Sequence, residues 1–249
     1  MSLPLRALTI DLWNTLIFSS PEIEMRRVES RFAALTQTLT ALGWDFDRER
    51  LEYAYEVCGE QHAHVQYTGQ DLSAEAHVGL LLTLLDPQRA ALLSLADRAN
   101  IVEQYGRCAL DAMPTAAPDA VATLAGLRER GLHLALISNT SRTPGRYLRE
   151  VMAHLGLSAA FDVLVFSDEV GMAKPNRAIF AYALERLGVA ADETAHVGDD
   201  VWLDCEGARQ SGLHVIAVGP MRPPELAPTD WWISRFADLP QMLDSDPCR

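Results

Sequence analysis

At 249 residues the chain is long enough to bury a sizeable core, either as one α/β domain or as one domain carrying an insertion. A net charge of −13 excludes an extended surface for nucleic acid or for anionic membranes, but leaves room for a local positive pocket that takes a small anion. The expected partner is therefore a small-molecule substrate, with no nucleic acid and no membrane, for a monomer or homodimer. Cys58, Cys108, Cys205 and Cys248 lie far apart without CxxC spacing and read as reduced thiols. With no leader-like start and no apolar run long enough to span a bilayer, the expected setting is the cytoplasm.

The first predicted element is a strand within Leu5 to Ile17, LRALTIDLWNTLI, an apolar, β-prone run that ends in Asp11 and exits through Trp13, Asn14 and Thr15. In open parallel sheets, ligands bind at the carboxyl ends of strands, which is where Asp11 falls. Alone, such a residue equally well caps the turn that follows it.

From Pro21 the spacing becomes helical. Ile23, Val28, Phe32, Leu35, Leu39 and Leu42 recur at three- to four-residue steps, and similar stripes run from Arg48 to His64, Ser73 to Leu85 and Gln88 to Leu110. Four helices without an intervening strand predict a helical insertion, residues 18–113, within a core made of residues 1–17 and 114–249.

After Pro118 strands and helices alternate. Helix Asp119 to Arg130 precedes the strand LHLALIS, a helix follows Pro144, and the strand FDVLVFS ends near Ser167. Helix Arg177 to Leu187 leads to the strand TAHVG, then a helix ending near Gly212, the strand HVIAVG and the Trp-rich DWWISRF, whose Trp231 and Trp232 pack an edge or form an association patch. This alternation predicts a Rossmann-type parallel sheet with right-handed crossovers and helices on both faces.

Polar groups stand just after the strands: Asp11, Ser138 with Asn139, Asp199 with Asp200, and Lys174 in the loop GMAKPN. A parallel sheet brings strand ends to one edge. Asp11 and Asp199 can there hold a hard divalent cation such as Mg2+, Ser138 and Lys174 can hold charged oxygens, and Asp11 can attack an electrophile.

Those segments, DLWNTL, LISN, SDEVGMAKPNRAIF and VGDDVWLDCEGARQSG, in this order and spacing, resemble the haloacid dehalogenase superfamily of hydrolases along nearly the whole chain. The resemblance implies an α/β core with an inserted α-helical cap closing over the site. It implies that Asp11 is the nucleophile, Ser138 the phosphate-binding hydroxyl and Lys174 the cation. Asp199 and the carbonyl of Trp13 would be metal ligands with Asp11, and Asp200 and Asp204 would support the metal or orient Lys174. Trp13, Asn14, Asn139 and the cap residue Arg27 are expected to meet substrate. Arg26 and Arg31 are further cationic candidates on the same helix, although a solvated helix face explains all three arginines.

Phosphatases of this superfamily carry a second Asp two positions after the nucleophile, where this chain has Trp13. An indole cannot shuttle protons near neutral pH. The principal expectation is a Mg2+-dependent phosphatase acting on a small phosphorylated metabolite through an aspartyl-phosphate, with its activity in question because Trp13 replaces the general acid. The alternatives are a 2-haloacid dehalogenase-type enzyme using Asp11, whose leaving group needs no proton, and a weak or inactive binding protein. Against dehalogenation stands the acid pair of GDD, which dehalogenases generally lack.

Overall fold

The structure is a computed structural model, and it describes residues 5–222, 224, 227 and 229–245; Cys248 lies outside these. β1, Ala7–Ile10, is buried at every position, as expected of a strand covered on both faces. β2, Ile17–Phe18, begins a stalk leading to five helices: α1 Pro21–Ala41, α2 Arg48–Tyr67, α3 Ala74–Leu85, α4 Pro87–Leu92 and α5 Leu95–Asp111. β3, Thr115–Ala116, returns antiparallel to β2, with Ile17 opposite Ala116.

The stripe expected to form one helix from Gln88 to Leu110 is two helices. Leu93 is extended (φ −64°, ψ 133°), and the Ser94 hydroxyl accepts from Asp97 N at 3.1 Å, capping a new helix. Hydrophobic spacing continues across this break, so periodicity alone hides it.

The remaining elements are α6 Ala120–Glu129, β4 His133–Ser138, α7 Gly145–His154, β5 Val163–Phe166, α8 Ser167–Val170, α9 Arg177–Leu187, β6 Thr194–Gly198, α10 Gly207–Gln210, β7 His214–Val218, β8 Trp231–Ile233 and α11 Leu239–Asp244. The main sheet runs β5-β4-β1-β6-β7-β8, every pair parallel. Ile10 lies opposite Leu136 on one side and Val197 on the other. Asp11, Ser138 and Asp199 therefore emerge along one edge.

Side chains alternate across the sheet. Leu8, Ile10, Leu134 and Leu136 pack with Leu124, Leu127 and Leu148 on one face, while Ala135, Ile137 and Val165 pack with Ile179, Phe180 and Ala183 on the other. The cap has its own apolar cluster, centred on Leu35, Leu39, Leu81, Leu82 and Ile101. Trp231 and Trp232 are partly buried at the sheet edge, and Trp232 Nε1 donates to Gly219 O at 3.1 Å. No helix among the described residues is long and apolar enough to cross a membrane.

Candidate active site

Asp11 continues the β1 ladder, its N–H donating to Val197 O at 2.9 Å. The chain then turns tightly, Leu16 N and Ile17 N both reaching Leu12 O at 2.9 Å. Asn14 takes the left-handed conformation this turn needs (φ +58°), which Asn tolerates better than most residues. The turn leaves the Asp11 carboxylate at the sheet edge, 6% exposed.

Lys174 reaches this carboxylate from the loop after α8. Its Nζ donates to Asp11 Oδ1 at 2.5 Å and to Asp204 Oδ1 at 2.6 Å, and the side chain is buried. Asn139 fixes the lysine's backbone from both sides: its Oδ1 accepts from Lys174 N at 2.8 Å and its Nδ2 donates to Lys174 O at 2.9 Å. The Asn139 amide is thus spent on holding the lysine loop. Ser138, fully buried at the end of β4, directs its hydroxyl to Asn139 O at 3.3 Å.

Asp204 arrives on a segment whose spacing predicts plain helix. Residues Val201–Glu206 form a π-helical turn, with Cys205 N bonded to Asp200 O at 3.1 Å. Asp200 caps this turn, accepting from Trp202 N at 2.8 Å and Leu203 N at 2.7 Å, and so serves the backbone. Gly198 lets Asp204 come close, because a Cβ there would lie 2.3 Å from the Asp204 Cγ. Asp204 Oδ2 accepts from Asp200 N at 3.0 Å, and His196 Nε2 lies 3.0 Å from Oδ1.

His196 and Thr9 were not singled out in the sequence. Both are fully buried, and Thr9 Oγ1 lies 2.8 Å from His196 Nδ1. Burial lowers the His196 pKa, against the pull of Asp204, so the neutral ring donates from Nε2 to Asp204 and accepts the Thr9 hydroxyl at Nδ1. A histidine inside an apolar strand reads as core, and only the neighbouring π turn shows what it holds.

The charge balance is short of a cation. Burial raises the Asp11 pKa to about 7 although Lys174 pulls against it. Burial and then Asp204 raise Asp199 to about 6, with Asn14 opposing. Burial would raise Asp204 too, but Lys174 and His196 hold it well below the ordinary range. One oxygen from each of Asp11, Asp199 and Asp204 lies within 4.8 Å of the others. Both Asp204 oxygens already accept hydrogen bonds, which leaves Asp11 Oδ2 and Asp199 as open donors. Crowded carboxylates whose charge Lys174 only partly offsets are an oxygen donor set suited to a hard divalent cation.

Arg27 does not enter this cluster. It is buried where the cap joins the stalk, donating through Nε and Nη2 to Ala112 O at 3.2 and 2.8 Å, through Nη1 to Glu24 at 2.8 Å and through Nη2 to Ser19 at 3.1 Å. Its Cζ lies 5.5 Å from the centroid of the Trp13 ring. The solvated-face reading holds for Arg26, which is exposed, and fails for Arg27 and Arg31, which are buried.

The cap is docked onto the lysine loop. Gly69 O, between α2 and α3, accepts from Ala173 N at 3.2 Å and Asn176 Nδ2 at 2.9 Å, and Asp71 N donates to Gly171 O at 3.2 Å. Asp71 in turn accepts from Gln66 at 3.1 Å and Thr140 at 3.4 Å and pairs with His62.

A family model described as haloacid dehalogenase-like hydrolase matches residues 5–212. Ribulose-1,5-bisphosphate 5-phosphatase of Halopiger xanaduensis is 30% identical over 197 residues, 76% of each chain. (S)-2-haloacid dehalogenase 1 of a Pseudomonas species is 30% identical over 132 residues, 52% of this chain and 56% of that one. The chain spans less than half the length of several further curated relatives that it matches. The crystal structure of 2-haloacid dehalogenase from Pseudomonas syringae pv. Tomato shares the fold with a TM-score of 0.72, 23% identity and coverage of 96% of this chain and 98% of that one.

These findings correct the principal functional expectation. A phosphatase disabled at Trp13 is not what the site shows, because the catalytic carboxylate Asp11 and its partners Asp199 and Asp204 are intact and Trp13 replaces none of them. The chain is an enzyme of the hydrolase type, and dehalogenation, held above as an alternative, is better supported than that phosphatase. With the carboxylates and Lys174 assembled at the edge of a parallel sheet beneath a helical cap, the chain belongs to the haloacid dehalogenase-like hydrolases.

Proposed function

We propose that the chain hydrolyses the carbon–halogen bond of small 2-haloacids, with Asp11 as nucleophile. One observation carries this reading: the cation bonded to Asp11 is Lys174, which a second carboxylate also holds. Burial would lower the lysine pKa, but Asp11 and Asp204 together raise it well above the ordinary value. Such an ammonium stabilises charge but does not give up its proton, and Trp13 has none to give. A leaving group that departs as an anion suits this site. Asp11 attacks C2, the carbon–halogen bond breaks, and halide leaves with the electron pair. Water then cleaves the aspartyl ester to a 2-hydroxy acid, regenerating Asp11 and releasing a proton.

In this reading Lys174 orients Asp11, while Ser138, Trp13 and Asn14 border the substrate. Asn139 and Asp204 position the lysine, and Asp200 shapes the turn that carries Asp204. Mg2+ suits the open oxygens and would be held by Asp11, Asp199 and the Trp13 carbonyl. Its charge would keep both carboxylates ionised beside an anionic substrate. Residues 18–113 would act as a cap domain over a core of residues 1–17 and 114–249. The unpaired thiols of Cys58, Cys108 and Cys205 suit the cytoplasm, where the enzyme would work as a monomer or homodimer.

The test measures halide and phosphate release from panels of 2-haloacids and phosphate monoesters, with Mg2+ and with a chelator. Halide release that disappears in Asp11→Asn is expected. Phosphate release without any halide release would sink the reading.

A further inference from the structure

Three polar rings stand in the cap on three different helices: His62 on α2, His77 on α3 and Tyr105 on α5, all buried. His77 Nε2 lies 2.9 Å from Tyr105 Oη, His77 Nδ1 lies 2.7 Å from His62 Nδ1, and His62 Nε2 meets Asp71 Oδ1. Buried polar groups are costly unless each finds a partner, which constrains where the hydrogens of this series sit.

Burial, with His62, Arg142 and Arg31 acting in the same direction, lowers the His77 pKa to about 3, so this ring is neutral and carries one hydrogen. Arg142 is seated against α2 at Gly59, where an added Cβ would lie 2.1 Å from its Nη2. The Tyr105 hydroxyl has no other partner among the described residues and donates to His77 Nε2. The His77 hydrogen is then on Nδ1 and goes to His62 Nδ1, which puts the His62 hydrogen on Nε2, facing Asp71. Every hydrogen in the series has an acceptor, and the series ends on the Asp71 carboxylate.

The same carboxylate reaches the core. Asp71 Oδ1 also accepts from Leu72 N at 2.7 Å, and Oδ2 accepts from Gln66 Nε2 at 3.1 Å and from Thr140 Oγ1 at 3.4 Å. With His62, these donors fill the roughly four lone-pair sites of an ionised carboxylate and leave no place for a hydrogen of its own. Gln66 Nε2 gives its second hydrogen to Thr140 O. Thr140 N donates to Ser167 Oγ at 2.7 Å, and the two hydroxyls lie 3.2 Å apart. Because Asp71 only accepts, the Thr140 hydroxyl donates to it and the Ser167 hydroxyl donates to Thr140. Thr140 is thus held from the cap at both its hydroxyl and its carbonyl. It directly follows Ser138 and Asn139, and the Asn139 amide clamps the backbone of Lys174.

We propose that Asp71 is a positioning residue of the active site, acting through Thr140 on the loop that carries Ser138 and Asn139. The assignment rests on Ser138 and Lys174 being working parts of the site proposed above, whichever bond is hydrolysed.

The test uses the full chain and the variants Asp71→Asn, Thr140→Val and the two combined, with thermal unfolding to confirm that each is folded. Hydrogen exchange needs no substrate. In Asp71→Asn the Thr140 and Lys174 amides are expected to exchange about tenfold faster, since both belong to the loop contacts that Asp71 supports. In turnover each single variant is expected to lose about tenfold in kcat with KM changed less than about threefold. The double variant is expected to lose no more than the worse single one, because both act by one route. Thr140→Ser, which returns the hydroxyl, is expected to recover most of what Thr140→Val loses. If Asp71→Asn does not fold, exchange at Lys174 and the kcat of Thr140→Val and Thr140→Ser decide the question. Unchanged exchange at Lys174 in the folded variants, or losses that add in the double variant, overturn the proposal and leave Asp71 as a docking contact of the cap. Faster exchange at both amides, with no hydrolysis of any acid or ester by the unmodified chain, refutes the reaction and keeps the positioning. Halide release that Asp71→Asn leaves untouched does the reverse.

Discussion

Lys174 Nζ and Asp11 Oδ1 stand 2.5 Å apart although 163 residues separate them in the chain. The same ammonium lies 2.6 Å from Asp204 Oδ1, so one buried cation serves two buried carboxylates. Removing one member of a buried ionic set is more damaging than never having built it, because the charges left behind are neither solvated nor paired.

Lys174→Met is therefore expected to destabilise the fold by about 3–5 kcal/mol near pH 8 and to abolish turnover. Part of the stability should return toward pH 5, as Asp11 takes up a proton. Urea denaturation at the two pH values measures both effects, and equal losses at both would contradict the account.

The activity should rise with pH through a midpoint near 7, because burial lifts the Asp11 pKa to about 7 and only its ionised form is nucleophilic. The stability contribution runs the other way. Between the ordinary value of 3.8 and about 7, the native chain holds a proton that the unfolded chain has lost. The contribution of Asp11 to stability is thus complete below 3.8 and is lost as pH rises through about 7. Added Mg2+ should move the activity midpoint to lower pH, which pH–rate profiles with and without the metal would show.

Asn139→Ala removes both hydrogen bonds to the Lys174 backbone while leaving the ammonium and its carboxylates present. The expected result is a fall in kcat of about ten- to a hundredfold with a smaller change in KM, in keeping with about 1–3 kcal/mol of lost positioning. A change confined to KM would instead return the amide to substrate binding.

Gly69→Ala tests the docking of the cap. The residue has φ +81°, and an added Cβ would lie 2.8 Å from the Asn176 Cβ. Strain and overlap together are expected to cost about 1–3 kcal/mol and to loosen the cap tip. Hydrogen exchange should accelerate at Asp71 and Ala173, whose amides bond across this contact, and unchanged exchange there would show that the cap is held elsewhere.

Much of the site was legible because its signals are local. An acid closing an apolar strand marks Asp11, and a polar pair closing LHLALIS marks Ser138 and Asn139. What stayed hidden depends on elements meeting. His196 looks like any histidine in a buried strand until a π turn swings Asp204 against it. Arg142 looks like a loop arginine until Gly59, from another element, opens a place for it. The division between α4 and α5 was in principle readable, since Ser94 and Asp97 have the spacing of a helix cap, but the leucines on either side continue the apolar stripe through it. The Trp13 indole is legible as lacking a proton to give, but a disabled enzyme does not follow from it. Its consequence depends on the carboxylates around it, which only the folded chain brings together.

The burial of Lys174 has a practical corollary, since it is the single lysine in the chain and the other 20 basic residues are arginines. In the folded protein no side-chain amine is offered to acylating reagents, because the one that exists is covered and paired. Side-chain acylation would thus report the opening of the active site, and each modified molecule would have lost the cation that holds its nucleophile.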